Sequence, residues 1–111
     1  MSIDYRFNEW MVSGEKATVW TEKAYKLARI EVGRVSGMTI GAVLYLHYVK
    51  GRTAGEIRKH SVSNGLGIST VRAILRGFGD RASQATKEAY SIFMDMLENE
   101  PEMLDVLFEA Y

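Results

Sequence analysis

The chain has 111 residues, enough for one hydrophobic core but not for two. Its 47% hydrophobic and 25% charged residues are ordinary for a globular domain and exclude a disordered chain. The absence of cysteine excludes disulfides, thiol catalysis and cysteine-bound zinc. The sequence begins without a basic segment and apolar run, and the uncharged run 35–49 is too short and polar to span a bilayer. We therefore expect a cytoplasmic protein with no signal peptide and no membrane contact.

The zero net charge conceals an uneven distribution along the chain. Residues 50–87 carry eight basic and two acidic side chains, a net charge of +6, whereas residues 88–111 carry seven acidic and no basic ones, a net charge of −7. This split predicts one surface for a polyanion and another that faces solvent or a protein. The acids expected to form a solvated surface, or to contact a basic partner, are Glu98, Glu100, Glu102, Asp105 and Glu109.

The spacing of apolar residues predicts helices in chain order and no strand pair. A short amphipathic helix over 3–12 ends at Ser13-Gly14, and a second helix runs over about 15–32. A third helix over 39–50 ends at Gly51, a residue type favoured in a left-handed C-cap. The glycines at 33, 37 and 41 indicate close packing or a hinge.

The second half of the chain contains clearer helix starts. Thr53-Ala54-Gly55-Glu56 matches a capping box, and the helix that follows is expected to include Val62 and to end near Asn64-Gly65. Ser69 is expected to cap a helix over 70–76, and Ser83 a longer one. Pro101 suits the first position of a last helix. We therefore predict an all-α fold, a small helical bundle of six or seven helices that forms a single domain over 1–111.

The middle segment favours a helix-turn-helix over approximately 53–77. With Gly65 in the turn, Leu66, Val71 and Ile74 fall at positions expected to be buried. The outward positions of the second helix would face a DNA groove, and basic residues before it would contact backbone phosphates. The predicted DNA-binding residues are Lys50, Arg52, Arg58, Lys59, Ser69, Thr70, Arg72, Ala73 and Arg76.

Two features of the segment depart from this motif. Ser61 and Asn64 stand where the first helix usually has Ala and Leu, and the segment before the turn is about three residues longer than in the shortest versions. A one-turn insertion, or a turn placed at Gly67, explains the extra length. The alternative is an αα-hairpin in an ordinary bundle with solvated arginines, but eight basic side chains against two acidic ones favour the DNA-binding interpretation.

Leu46-His47-Tyr48-Val49-Lys50-Gly51-Arg52-Thr53, followed by Glu56-Ile57, resembles the start of sigma-factor region-4 helix-turn-helix units. With Thr70-Val71-Arg72 and Leu75, it is most similar to phage late-gene antitermination proteins of the Q type, over about residues 44–97. The resemblance implies binding to promoter-proximal DNA and contact with RNA polymerase. The cysteine-bearing segment of many such proteins is absent, and the first forty residues do not match. Small fimbrial and plasmid regulators have a comparable Gly-x-Ser/Thr-x-x-Glu segment.

Other site types have little support in the sequence. His47 and His60 lie thirteen residues apart without clustered partners, so no metal site is predicted. Gly65-Leu66-Gly67 lacks the other residues of a nucleotide-binding loop, and neither Ser69 nor Ser83 has a His and an acid at recognisable offsets. We therefore expect no catalytic residue, no cofactor and no enzyme activity.

Apolar stripes in the C-terminal helices, residues 83–111, are expected to lie mostly in the core. They exceed what one small domain needs, so a dimer seam is expected as well. The apolar residues of these stripes are Phe93, Met94, Met96, Leu97, Met103, Leu104, Leu107 and Phe108. A homodimer would place two recognition helices one DNA turn apart. The leading hypothesis is a DNA-binding transcription regulator of phage or mobile-element type, with double-stranded DNA as partner. The alternative is a protein-binding inhibitor or adaptor module that acts on a host nucleic-acid machine.

Overall fold

The computed structural model describes residues 19–32, 35–60, 65–77 and 83–111, and the predicted helix over 3–12 lies outside them. The all-α prediction is confirmed, and the described residues form six helices and one two-residue strand pair. The elements are α1 Glu22–Arg29, β1 Glu31–Val32, β2 Val35–Ser36, α2 Gly37–Tyr48, α3 Ala54–Lys59, α4 Ile68–Leu75, α5 Gln84–Asn99 and α6 Pro101–Phe108.

Helix α2 lies at the centre of the bundle. It packs against α1, α3, α4, α5 and α6, so each of the other described helices shares a surface with it. Its side chains from Ile40 to Leu46 are buried on every side of the helix. A helix without charged residues and without a polar face is stable only when neighbours cover all of it. The uncharged run in the sequence is therefore a core helix.

Two glycines of α2 let neighbouring elements approach its backbone. A Cβ added at Gly37 would lie 2.0 Å from the Leu27 carbonyl oxygen, and one at Gly41 would lie 2.5 Å from Cζ of Phe108. No Cβ occupies such positions without movement of its neighbour, so these two positions accept only glycine at this spacing. Of the two explanations offered for the glycine series, packing is the one that Gly37 and Gly41 fit.

Several predicted helix ends are confirmed. Oγ of Ser83 accepts the Thr86 backbone N–H at 3.2 Å at the start of α5, and Pro101 occupies the first turn of α6. Gly51 and Gly77 have φ angles of 72° and 74°, in the left-handed region that favours glycine. After α2, the backbone N–H of Arg52 donates to the Leu46 carbonyl at 2.8 Å and closes the helix end.

The boundaries of the first described helix and the absence of strands were predicted wrongly. Helix α1 begins at Glu22 after the N-cap Thr21, and it ends at Arg29 rather than near Val32. The backbone of Ile30 is extended, and Glu31 pairs with Ser36 in a two-residue antiparallel ladder. The β-branched residues at 30 and 32 favour extended backbone over a last helical turn. Helix α2 likewise begins at Gly37, two residues before the predicted start, because Ser36 caps it.

Three acids of the C-terminal segment bind residues of the N-terminal half. Glu100 accepts a hydrogen bond of 2.6 Å from the Thr21 hydroxyl, and Asp105 accepts one of 2.9 Å from Tyr45. Asp95 forms an ion pair with Lys23, which raises the pKa of Lys23 and lowers that of Asp95. Burial, together with the hydrogen bond to Asp105, raises the pKa of Tyr45 to about 12. Asp105 is exposed, as predicted for the solvated surface, whereas Glu100 is half-buried, and the sequence analysis did not predict the hydrogen bonds of either one to the same chain.

The apolar stripes of α5 and α6 lie in the core of the domain itself. Phe93, Met96, Leu104 and Phe108 are all fully buried by other parts of the same chain. Phe108 packs beside Phe93 and Tyr45, with ring centroids 6.4 Å and 5.7 Å away. These stripes therefore do not form an exposed seam between two copies.

The close approach at Gly41 generates the first prediction. Gly41→Ala places a methyl group against the Phe108 ring, and we expect overpacking to lower the free energy of unfolding by about 1–3 kcal/mol. Gly55→Ala is the matched control, because its new Cβ would meet only Oγ1 of Thr53 at 4.0 Å. Because alanine favours helix, the control should unfold at the same or a slightly higher urea concentration than the parent. Equal stability of Gly41→Ala and the parent in urea denaturation would contradict the packing.

Candidate nucleic-acid interface

The capping box predicted at Thr53 is present and orients helix α3. The Thr53 hydroxyl accepts the Glu56 backbone N–H at 3.2 Å, and Glu56 accepts the Thr53 backbone N–H at 3.0 Å. Hydrogen bonds from the backbone and the side chain of Thr53 to the Glu56 carboxylate lower the pKa of Glu56 below its ordinary value of 4.5. Ile57, which directly follows Glu56, is fully buried and packs the helix against the core. Arg58 and Lys59 are consequently exposed.

Helix α3 is shorter than predicted. It ends at Lys59, where the extended residue His60 donates its backbone N–H to the Ile57 carbonyl at 2.9 Å. The predicted helix continued to Asn64-Gly65, and this prediction is wrong at His60, which is not helical. Val62 lies outside the described residues. Ser, Ser and Asn at 61, 63 and 64 favour turns and caps over helix interiors, which agrees with a helix that ends at Lys59. Residues 61–64, between His60 and Gly65, lie outside the part of the chain that the structure describes.

Helix α4 begins two residues earlier than predicted. Its N-cap is Gly67 rather than Ser69, and no side chain caps its first turn. Gly65 has a φ of 86°, the left-handed conformation expected of the turn glycine. Val71 and Ile74 are fully buried, Leu66 is half-buried, and α4 packs against both α3 and α2. The predicted inward positions of α4 are therefore confirmed, although its N-cap is not.

The outward surface of α4 presents the side chains predicted to meet DNA. Ser69, Arg72 and Arg76 are exposed and follow the spacing i, i+3, i+7, which places them along one side of the helix. Thr70 and Ala73 are half-buried beside this stripe. Within the described part of the chain, neither arginine forms an ion pair with a carboxylate. Both guanidinium groups are therefore available to an external anion.

The basic residues before α4 lie around the start and end of α3. Arg52 and Lys59 line one cleft of about 280 Å³ with Glu56 and His60, and Leu46 and Ile57 form its apolar floor. The structure thus brings Arg52 and Lys59 together. The Lys50 ammonium group lies 5.6 Å from the centroid of the Tyr45 ring, in a cation–π position, and Lys50 is exposed.

An aromatic cluster near the end of α4 was missed by the sequence analysis. The Tyr48 hydroxyl donates to the Leu75 carbonyl at 3.5 Å and lies 3.4 Å from the Tyr90 hydroxyl. This contact with Tyr48 raises the pKa of Tyr90 to about 12. The ring of His47 meets that of Tyr48 edge-on at 4.9 Å. Tyr90 is 42 residues from Tyr48 in the sequence, so no local pattern predicts their contact. The adjacent His47 and Tyr48 at a predicted helix end were the one visible part of the cluster.

The side chain of His47 connects the end of α2 to the segment that leads into α3. Its Nδ1 lies 2.9 Å from the Arg52 carbonyl oxygen. Since a carbonyl only accepts, Nδ1 carries the proton in this hydrogen bond. The bond fixes the backbone at Arg52, immediately before the capping box.

Within the four described ranges, no three His, Asp or Glu side chains are grouped to hold a metal ion. None of the helices described in those ranges is both long and apolar enough to cross a bilayer. No family model, curated protein or solved structure matches this chain. The resemblance to antitermination proteins therefore stays a prediction.

The capping box predicts a local stability effect. Thr53→Ala removes the hydroxyl that accepts the Glu56 N–H and should lower the free energy of unfolding by about 1 kcal/mol. Ser69→Ala is the control, because Ser69 does not cap α4; we expect a change within about 0.5 kcal/mol. Urea denaturation of both variants at neutral pH tests the difference, and an equal loss in the two would contradict the assigned caps.

The lowered pKa of Glu56 predicts a pH dependence with a definite sign. A carboxyl whose pKa is lower in the folded state stabilises the fold above its unfolded pKa, and this contribution disappears as the pH falls through the folded value. The stability difference between the parent and Glu56→Ala should therefore be largest near neutral pH and shrink below about pH 4.5. Chemical denaturation across this range measures it, and a difference that grows on acidification would contradict the assignment.

Proposed function

We propose that this protein is a DNA-binding transcription regulator that binds duplex DNA through α3 and α4. The observation that carries the proposal is the exposed stripe on α4, where Arg72 and Arg76 lack ion-pair partners among the described carboxylates. Arginine can donate two hydrogen bonds to guanine O6 and N7, and serine can bond to either type of base edge or to phosphate. Ser69, Arg72 and Arg76 would therefore contact base edges or the phosphates beside them.

The residues around α3 would position the protein on the DNA backbone. Arg52 and Lys59 face one cleft, and Lys50 and Arg58 are exposed on either side of the capping box. Contacts of this kind bind phosphates without reading sequence, and they make affinity fall as salt rises. The uncapped first turn of α4, with Thr70 beside it, suits an additional phosphate contact.

The expected partners beyond DNA form part of the same proposal. Contact with RNA polymerase and an antitermination role derive from the resemblance, and a cytoplasmic location follows from a role in transcription. A homodimer would need surfaces other than the buried stripes of α5 and α6. Val106 and Tyr111 are 41% and 44% exposed and are the large apolar side chains that this region leaves at the surface.

The second candidate function is a protein-binding module that inhibits or adapts a host nucleic-acid machine. The observation that favours it is the outward side of α6, where Glu102, Val106 and Glu109 are exposed together. Such a surface suits a basic protein partner rather than DNA. Capture of a protein partner at 0.5 M salt, with no band shift on any duplex, would favour it over DNA binding.

Selection of bound sequences from a random duplex pool at two salt concentrations tests binding and specificity together. In the enriched sequence, Arg72→Ala should lose about 1–3 kcal/mol of binding free energy and relax the preference at one base pair. Lys59→Ala should weaken binding to all sequences alike and reduce the salt slope by about one. Fluorescence anisotropy titrations measure both effects.

Lys26→Ala is the matched control for these two variants. Lys26 is an exposed cation on α1, where it pairs with Glu22 at 3.5 Å, outside the proposed interface. Lys26→Ala should leave the sequence preference unchanged, and any loss of affinity should be small, because salt screens a charge that lies far from the DNA. If Arg72→Ala and Lys59→Ala bind their target as the parent does, the proposed interface is wrong.

A further inference from the structure

Two large apolar side chains are exposed at the end of α2, next to the proposed interface. Tyr48 is 40% exposed and Val49 is 41% exposed, although the rest of α2 from Ile40 to Leu46 is buried. An exposed tyrosine next to an exposed valine has no role in the core that α2 builds. Tyr48 is also not a loose surface side chain, because its ring and hydroxyl both have partners.

The partners of Tyr48 hold its ring in one orientation. Its hydroxyl donates to the last carbonyl of α4, that of Leu75, and the Tyr90 hydroxyl donates to it in turn. The His47 ring meets the Tyr48 ring in a T-shaped arrangement with an interplanar angle of 80°, so the two rings are not stacked in parallel. A fixed and partly exposed aromatic ring loses little conformational entropy when a flat ligand stacks on it.

The surroundings of the tyrosine pair are cationic. Arg76 directly follows Leu75, whose carbonyl accepts the Tyr48 hydroxyl, and Arg76 is exposed. Lys87 precedes Tyr90 by three residues on α5, which puts the two on the same side of that helix, and it is exposed too. Neither cation forms an ion pair with a carboxylate within the described part of the chain. An aromatic ring whose hydrogen-bond partners adjoin two exposed cations in the chain suits a nucleotide, which combines a flat base with phosphates.

We propose that Tyr48 is a stacking site for an unpaired DNA base, with Arg76 and Lys87 on the phosphates next to that base. The site rests on the proposed DNA-binding function and adds single-stranded DNA to the ligands of the same surface. Because the aromatic ring adjoins the C-terminal end of α4, a duplex in contact with α4 would present an opened or frayed base to Tyr48. Stacking of this kind accepts any base, since every base has a π-face.

The test measures binding of a short oligodeoxythymidine single strand by fluorescence anisotropy at low salt. Tyr48→Ala should weaken this binding about tenfold, whereas Tyr48→Phe, which keeps the ring, should stay within about twofold of the parent. Tyr25→Ala is the control, because Tyr25 is a partly exposed tyrosine on α1, outside the proposed interface, and it should bind as the parent does. Circular dichroism of each variant establishes that it is folded.

A second measurement reads stacking itself. A strand containing 2-aminopurine should lose fluorescence when the parent and Tyr48→Phe bind it, because stacking on an aromatic ring quenches this base, and Tyr48→Ala should not produce that loss. Unchanged affinity and unchanged quenching in a folded Tyr48→Ala variant overturn the proposal. Equal weakening by Tyr25→Ala also overturns it, since the effect would then not depend on the Tyr48 ring.

A perfectly paired duplex, titrated in parallel, separates this proposal from the function on which it rests. Binding to the duplex without binding to the single strand overturns the stacking site and leaves the helix-turn-helix function intact. Tyr48-dependent binding to the single strand without any duplex binding supports the stacking site and overturns the duplex function. Absence of binding to both overturns both.

Discussion

The structure depends on how closely its other helices approach the backbone of α2. Gly37 and Gly41 leave room for the Leu27 carbonyl and the Phe108 ring, so α1 and α6 meet the same helix at van der Waals distance. The interior side chains of α2 then fill the space toward α3, α4 and α5. Packing at this density transmits small volume changes, because interior atoms have few voids into which to move. The positions of α3 and α4, which carry the exposed cations, are therefore set by a helix that itself presents no charge.

Hydrogen bonds at the end of α2 hold the backbone at Arg52, where the segment that carries the exposed cations begins. The Leu46 carbonyl accepts the Arg52 backbone N–H, and the side chain of His47 bonds to the Arg52 carbonyl, so the peptide groups before and after the Cα atom of Arg52 are both held. The capping box at Thr53 follows immediately and sets the direction of α3. Beyond α3, the buried pair Val71 and Ile74 docks α4 on the same core. A recognition surface gains from such support, because ordering its side chains at the moment of binding would otherwise reduce affinity.

Features governed by neighbours in sequence could be predicted, and features governed by distant partners could not. The capping box, the cap at Ser83, Pro101, the left-handed Gly51 and the inward positions of α4 each depend on residues within one or two turns, and all agree with the sequence analysis. The end of α3 was predicted wrongly because apolar Ile57 and Val62 suggested a helical stripe, while Ser61, Ser63 and Asn64 around Val62 favour turns and caps. The roles of Glu100 and Asp105 rest on partners 79 and 60 residues away. Tyr48 and Tyr90 are 42 residues apart in the sequence, so the residues next to either one do not predict their contact.

The long-range polar contacts also explain how a chain of zero net charge keeps a cationic surface. A negative C-terminal segment could have neutralised the positive middle segment, which carries the opposite charge. Among the described residues, however, the ion pairs of Asp95 and Glu100 are with Lys23 of α1, and Asp105 binds the neutral Tyr45. Among the described residues of the cationic segment 50–87, the acid is Glu56, and its carboxylate accepts a hydrogen bond from the Thr53 backbone N–H. The acids thus fasten α5 and α6 to the N-terminal half, and Arg72 and Arg76 are left without an ion-pair partner among the described carboxylates, as the proposed binding to DNA phosphates requires.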